Sequence, residues 1–309
     1  MEKTTEKLVA MAVCASALLC VQAAEFMLKN GMTDWTDSAS YTNNAVPTAS
    51  DRIFTEEGAT NELLPSDPKY ADSLAKISEV LQVQLGRHAT LVIEVENGKT
   101  NTITGRIGCI GGANVNDAPV LVKKGGGTLL QEPSEKATYY FSRWQVEAGT
   151  LGAPWATSSN VQAYNIYSYG IDLWTDASLI LPYKQNFQVL GPLTGAGDIY
   201  TLNPLAGNSS SPFYLKGGPG TFAGTIGTNI NVIAREAILD FTGTANRYNG
   251  GLTVSGFKDD GTDKGVLGFV KFGVSSSDPR NARNTRVVQR ARKLRVGFRR
   301  SRRNAGAAG

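Results

Sequence analysis

The feature that most constrains this chain is a phrase that recurs loosely: a short apolar run, a Gly-rich corner, then Thr and Leu. It reads Val120-Leu-Val-Lys-Lys-Gly-Gly-Gly-Thr-Leu-Leu130, then Val146-Glu-Ala-Gly-Thr-Leu151, then Leu193-Thr-Gly-Ala-Gly-Asp-Ile-Tyr-Thr-Leu202. It returns as Phe213-Tyr-Leu-Lys-Gly-Gly-Pro-Gly-Thr-Phe222. Short strands punctuated by Gly, with no helix between them, are how a chain builds a long stack of β-coils.

The text around these phrases has the same grain. Val80-Leu-Gln-Val-Gln-Leu85 alternates with period two, and Ala89-Thr-Leu-Val-Ile-Glu-Val-Glu96 does so in part. Asn97-Gly98 marks a hairpin or a tight corner before Thr100-Asn-Thr-Ile-Thr104. Similar pieces continue through Ser178–Leu181, Phe187–Leu190, Ala237–Phe241 and Val266–Phe272. Strands of three to six residues at irregular intervals make the chain all-β, with stacked coils and a β-sandwich as the two architectures open to it.

The ends differ from the middle. Lys3 and Lys7 precede an apolar run from Leu8 to Val21, and Val21-Gln22-Ala23 supplies small or apolar residues before a cut. That is the pattern of an export signal, and the run is short for a membrane span. Val13 and Leu19 precede Cys14 and Cys20, and neither is the small residue that a lipidation site wants. Removing the signal leaves one cysteine, Cys109, so an intrachain disulfide framework is excluded. In Ile107-Gly-Cys-Ile110 the expectation is a buried, inert thiol.

The overall charge of +4 hides two compositions. Of the 31 Lys and Arg, eleven lie between Arg280 and Arg303, and no acidic residue follows Asp278. The other 20 face 27 Asp and Glu, so the body carries −7. A basic average does not, therefore, make the body a nucleic-acid-binding domain. In the tail, Val287, Ala291, Leu294 and Phe298 share one helical face. It reads as an amphipathic segment for an anionic membrane or nucleic acid, as a solvated disordered tail, or as frame-shifted text. The organisation expected is a signal peptide at 1–23, an entry or cap segment at 24–60, a β-strand repeat domain at 61–279 and the basic tail at 280–309. Residues 63–78, polar and Pro-interrupted, read as a loop or one short helix.

The phrases Leu121–Leu130, Val146–Leu151, Gly218-Pro-Gly-Thr-Phe-Ala-Gly-Thr-Ile226 and Tyr248-Asn-Gly-Gly-Leu-Thr-Val254 resemble the repeats of autotransporter-associated β-strand proteins. Trp35 to Asp51 resembles the segment that precedes such repeats. The resemblance covers about Trp35 to Gly273, in short motifs of low complexity. It implies a right-handed parallel β-helix on a secreted or surface-displayed bacterial protein, with adhesion as a frequent role. The chain departs from it in one respect: no run of alternating strands suited to a C-terminal membrane barrel is legible here.

Residues that carry chemistry are few. His88, the only histidine, sits at Gly86-Arg-His-Ala89, which reads as a surface turn. Asp172, Asp176, Asp198, Asp240 and Arg235 are the kinds of residue that β-helix polysaccharide lyases and hydrolases gather across coils, but no pair stands out. Asp259-Asp-Gly-Thr-Asp263 lacks the twelve-residue alternation and closing Glu of a calcium loop. Asn208-Ser-Ser210 matches a glycosylation acceptor and carries no weight in a bacterial protein. No catalytic set, metal site or cofactor is expected. The candidate binding surface is an aromatic cluster: Tyr139, Tyr140, Trp144, Trp155, Tyr167 and Trp174. Rings with polar tips suit glycans and partner proteins, and the competing reading is that they close the core. A secreted structural or adhesion-type β-repeat protein is therefore expected first, and a carbohydrate-active enzyme or carbohydrate-binding module second. Deleting residues 280–309 is expected to leave the melting temperature nearly unchanged while abolishing salt-sensitive binding to anionic vesicles or DNA; calorimetry and co-sedimentation check both halves.

Overall fold

A computed structural model of the chain describes residues 23–110, 114–132, 139–153, 165–182, 186–201, 211–235, 237–242, 252–255 and 269–272. Every pairing between its strands is parallel, and strands far apart in sequence lie side by side. A sandwich would need antiparallel neighbours, so the stacked-coil architecture is the one formed: a parallel β-solenoid of about six turns.

Each complete coil has three strands on three sides. Coil 1 is Gln82–Leu85, Thr90–Glu94 and Thr100–Ile103; coil 2 is Arg106–Cys109, Val120–Lys124 and Thr128–Gln131. Coil 3 is Tyr139–Phe141, Arg143–Val146 and Gly149–Gly152; coil 4 is Asn165–Ser168, Ile171–Leu173 and Ala177–Leu181. Coil 5 is Asn186–Val189, Leu193–Gly195 and Asp198–Thr201; coil 6 is Ser211–Leu215, Gly220–Phe222 and Thr225–Ile226. The first, second and third strands of successive coils stack as sides one, two and three; sides two and three are each one sheet, and side one is two, divided between Arg106–Cys109 and Tyr139–Phe141. Two further coils contribute Ile230–Arg235 with Ile238–Phe241, and Leu252–Ser255 with Phe269–Phe272.

Because side chains alternate along a strand, every second residue enters the narrow interior, and the parallel register stacks like on like. On side three the inward column is Leu129, Leu151, Leu179, Ile199 and Ile226. On side two it is Leu91, Leu121, Trp144, Ile171 and Leu193. On side one Ile166, Phe187, Phe213 and Val232 follow one another. All of these are at most 1% exposed. Each column buries apolar area at roughly 25 cal/mol per Å², which is the main favourable term for a fold with few local contacts.

The Gly-Thr-Leu phrase is the corner leading into side three. Register sets Thr128, Thr150, Ser178, Asp198 and Thr225 level with one another, each followed by an inward Leu or Ile. Two of the phrases read from sequence fall out of phase with this. Thr201-Leu202 is not the equivalent step in coil 5, where Asp198-Ile199 is. Gly220-Thr-Phe222 lies on side two, and Gly224-Thr-Ile226 takes the corner. The residues just before these positions, Gly127, Gly149, Ala177, Gly197 and Gly224, lie where successive coils approach closely. A Cβ on Gly149 would stand 2.3 Å from the Gly127 carbonyl oxygen, and one on Gly224 would stand 1.8 Å from that of Gly197.

The strands Glu25–Leu28, Arg52–Thr55 and Thr60–Leu63, within or bordering the entry segment, already belong to the stack. All three sheet edges are closed at this end. On side one, Tyr41 bridges Leu28, and Thr42 N–H donates to the Met27 carbonyl. On side two, Asn30 Oδ1 accepts from Thr60 N–H at 2.8 Å, and Gly31 N–H donates to the Thr60 carbonyl at 3.0 Å. On side three a helix, Tyr70–Glu79, lies beside Thr100–Ile103. Asn101 Nδ2 donates to the Tyr70 hydroxyl at 2.9 Å, and Thr104 Oγ1 donates to the Ser78 carbonyl at 3.2 Å. Trp35 and Tyr41, both fully buried, plug the core beneath. An unpaired parallel edge is a template for aggregation, and this cap removes it.

One inward position on side two is not apolar. Lys123 stands between Ile93 and Val146 and is fully buried. Its Nζ donates to the carbonyls of Lys124, Gly125 and Ala148 at 2.8, 2.5 and 3.0 Å. Three donors thus meet three corner acceptors, so the side chain is consumed in closing the coil. Burial pushes its ammonium down to about 8, with Glu94 acting in the opposite direction.

Two outcomes follow from these contacts. Gly197→Val, whose Cβ would lie 2.3 Å from the Ala177 carbonyl oxygen, is expected to cost about 2 kcal/mol or more and to lower the denaturant midpoint. For Lys123, the unfolded chain holds the proton up to about pH 10.4, whereas the folded chain releases it near 8. Between these values the unfolded state binds more protons, so this group's contribution to stability rises with pH. The melting-temperature difference between wild type and Lys123→Met is expected to shift toward wild type from pH 7 to pH 9.5; no change over that range would show that the lysine titrates normally.

Candidate functional site

The core columns fix which way every neighbouring side chain points, and this divides the aromatic cluster. Trp144 is corrected: it lies in the inward column of side two, is fully buried, and packs against Phe187 with ring centroids 5.4 Å apart. It is two residues from inward Val146 and so shares its parity. Tyr139 pairs with inward Ile166, and Tyr140 with Tyr167, which opens an outward column on side one. That column continues through Gln188, Tyr214 and Ile233. Beside it runs a second outward column of Asn186, Pro212 and Asn231. The Tyr167 and Tyr214 residues are half-buried, so side one offers ring edges and amides more than open ring faces. Trp155 lies outside the described residues.

Trp174 stands elsewhere, at the corner between sides two and three. It follows inward Leu173, has outward parity and is 48% exposed, the one exposed Trp, Tyr or Phe among the residues whose side chains are described. Its N–H donates to the Val146 carbonyl at 3.0 Å. The outward column of side two beside it runs Gln145, Asp172, Thr194, Thr221 and Asp240. Thr194 Oγ1 donates to Asp172 Oδ1 at 2.7 Å, and Gln145 Nε2 donates to Glu147 Oε1 at 2.9 Å. Tyr214, Gln145, Thr194 and Thr221 were not picked out from sequence, and Asp172 and Asp240 were not placed in one column; the signal was parity relative to Phe213 and to Ile171 and Leu193, usable only once the inward residues were known.

The carboxylates weighed for catalysis lie on side two, on side three and, for Asp176, at the corner between them. Asp172 and Asp240 share one column but stand three coils apart, about 14 Å at the strand spacing. Glycoside-cleaving pairs work at about 5–9.5 Å. Asp198 lies on side three, level with Ser178. Arg235 ends the strand Ile230–Arg235 on side one, on a different side from Asp240. His88 is exposed in a turn at φ 57°, with its N–H donating to the Asp117 carbonyl at 3.0 Å. Cys109 is buried, and burial pushes its thiol up, with a hydrogen bond from Tyr169 opposing; it is an inert thiol rather than a nucleophile. Asp259–Asp263, Asn208, residues 1–22 and the basic tail lie outside the described residues.

Compared with protein-family models, with curated proteins and with solved structures, the chain matches none.

Proposed function

We propose that this chain is an exported, surface-exposed structural or adhesion-type β-repeat protein that works by presenting side chains, without catalysis. The observation that carries the reading is the set of outward columns. A filled core and a closed N-terminal end hold Tyr, Asn, Asp and Thr side chains in rows about 4.8 Å apart, a rigid rod with repeated chemistry along it. The basic start and apolar run of residues 1–23 support export, and one buried cysteine is compatible with an oxidising exterior. The likeness of its Gly-Thr-Leu phrases to autotransporter-associated repeats points the same way. Glycans or surface proteins are its partners in this reading, and the tail serves anionic membranes or nucleic acid only if it is native. Asp172 and Asp240, the carboxylates that share a column, stand too far apart to work as a glycoside-cleaving pair.

Two measurements test the proposal. Mass spectrometry of protein recovered outside the producing cell is expected to show a new N-terminus near Ala24; an intact Met1 there would overturn export. Incubation with a polysaccharide panel is expected to release no reducing ends or unsaturated products, while beads coated with the chain adhere to glycan- or cell-coated surfaces. Product release would replace this reading with the enzyme.

A further inference from the structure

Trp174 owes its exposure to a step in the solenoid. Between the register-matched positions Leu173 and Ser178, coil 4 spends four residues on the corner, Trp174 to Ala177. Between Gly195 and Asp198, coil 5 spends only Ala196 and Gly197. Between Phe222 and Thr225, coil 6 spends only Ala223 and Gly224. The corner therefore drops from a long turn to two short ones of small residues. Backbone bonds keep this strip continuous: Ala196 N–H donates to the Leu173 carbonyl and Ala223 N–H to the Gly195 carbonyl, each at 2.7 Å. Along the axis, exposed Trp174 is thus followed by Ala196 and Ala223, a strip without large side chains that forms a shelf below it. One border is the hydrogen-bonded pair Asp172 and Thr194; the other carries exposed Asp198 on side three.

We infer that this shelf binds one linear, uncharged polysaccharide chain lying along the solenoid axis. The inference rests on the reading of the chain as a protein that works outside the cell, and gives that reading a ligand class and a site. An exposed indole is a flat apolar platform for the apolar face of a pyranose. Small floor residues let a flat chain lie against the backbone. The bordering groups are carboxylates and hydroxyls, which accept and donate hydrogen bonds to sugar hydroxyls. The coil spacing of about 4.8 Å repeats these groups at close to the length of one sugar residue. The sign of the border decides against other ligands: Asp172 on side two, Asp198 on side three, and Glu147 and Asp176 in the corners of coils 3 and 4 make this strip acidic and repel uronates, sulfates and phosphates. A folded protein partner needs about 800 Å² per side, far more than one indole and two alanines supply.

The test is affinity electrophoresis of the full exported chain in native gels containing hydroxyethylcellulose, arabinoxylan or galactomannan, with polygalacturonate as the anionic arm. Titration calorimetry with the matching hexasaccharides follows. Retardation is expected in at least one neutral gel and not in polygalacturonate. Trp174→Ala is expected to weaken binding at least about tenfold, and Trp174→Phe to restore part of it. Because Trp174 is 48% exposed and outside the inward columns, both variants are expected to keep the wild-type circular dichroism and to melt within a few degrees of wild type, and Asp172→Asn supplies an independent loss. Absence of retardation in every neutral gel, equal binding by Trp174→Ala, or preference for polygalacturonate each overturns the inference. If coated beads still adhere to cells while no neutral glycan binds, the shelf fails and the adhesion reading stands; release of sugar products overturns that reading instead.

Discussion

At the corner between sides two and three, successive coils come so close that the column holds nothing larger than the methyl of Ala177. Gly127, Gly149, Ala177, Gly197 and Gly224 occupy that column, and every glycine in it would drive a Cβ within 2.3 Å of a carbonyl oxygen. The rest of the fold depends on this approach. It brings the following strands to hydrogen-bonding distance, levels Thr128, Thr150, Ser178, Asp198 and Thr225, and so stacks Leu129, Leu151, Leu179, Ile199 and Ile226 in one inward column. A larger residue would lift one coil from the next and open a gap in the core beneath it, where methylene-sized voids are already costly.

Much of this was legible in sequence, for a physical reason. Period-two alternation and Gly-Thr-Leu corners are local consequences of a strand entering a narrow interior, so they survive as text. Three things were not legible. The phase was lost because corner lengths vary: Gly220-Thr-Phe222 reads like a side-three step but lies on side two, and only register with Gly195 reveals it. The role of Lys123 was hidden because Val-Lys-Lys looks like a strand running out to solvent. Its three carbonyl acceptors, on Lys124, Gly125 and Ala148, exist only once the corner of one coil meets the next. The two tryptophans Trp144 and Trp174 look alike in composition and differ in parity, one sharing Val146's inward phase and the other following inward Leu173.

The cap illustrates how the same physics ends a repeat. Inside the stack, each strand's backbone groups are satisfied by the coils on either side. The first coils have no neighbour, so the chain supplies irregular substitutes of the right polarity: Asn30 and Asn61 side chains on side two, Tyr41 on side one, and a helix on side three. The helix is held by Ser73, whose Oγ accepts from Trp35 N–H at 3.0 Å and donates to the Thr33 carbonyl at 2.8 Å. Polar text with Pro, read from sequence as a loop or short helix, is what such a lid requires, because its outer surface faces water and its inner surface need only cover Leu74 and Ile77.

These constraints also say where such a rod has room to acquire specificity. Inward positions answer to packing, strand length to register, and the corner column to close approach. What remains free is the number of residues spent on a corner, since extra residues there project outward without disturbing the columns on either side. Coil 4 spends two more than coil 5 at the same corner, and that corner carries the one exposed Trp, Tyr or Phe among the side chains described. Coil 3 spends three, Glu147 to Gly149, and presents a carboxylate at the equivalent place. A difference in corner length thus converts a uniform stack into a surface with an exposed ring, a strip of small residues and acidic borders. The regularity of the core is the condition for that difference to be felt, because in a less rigid stack the step would relax into the neighbouring coils.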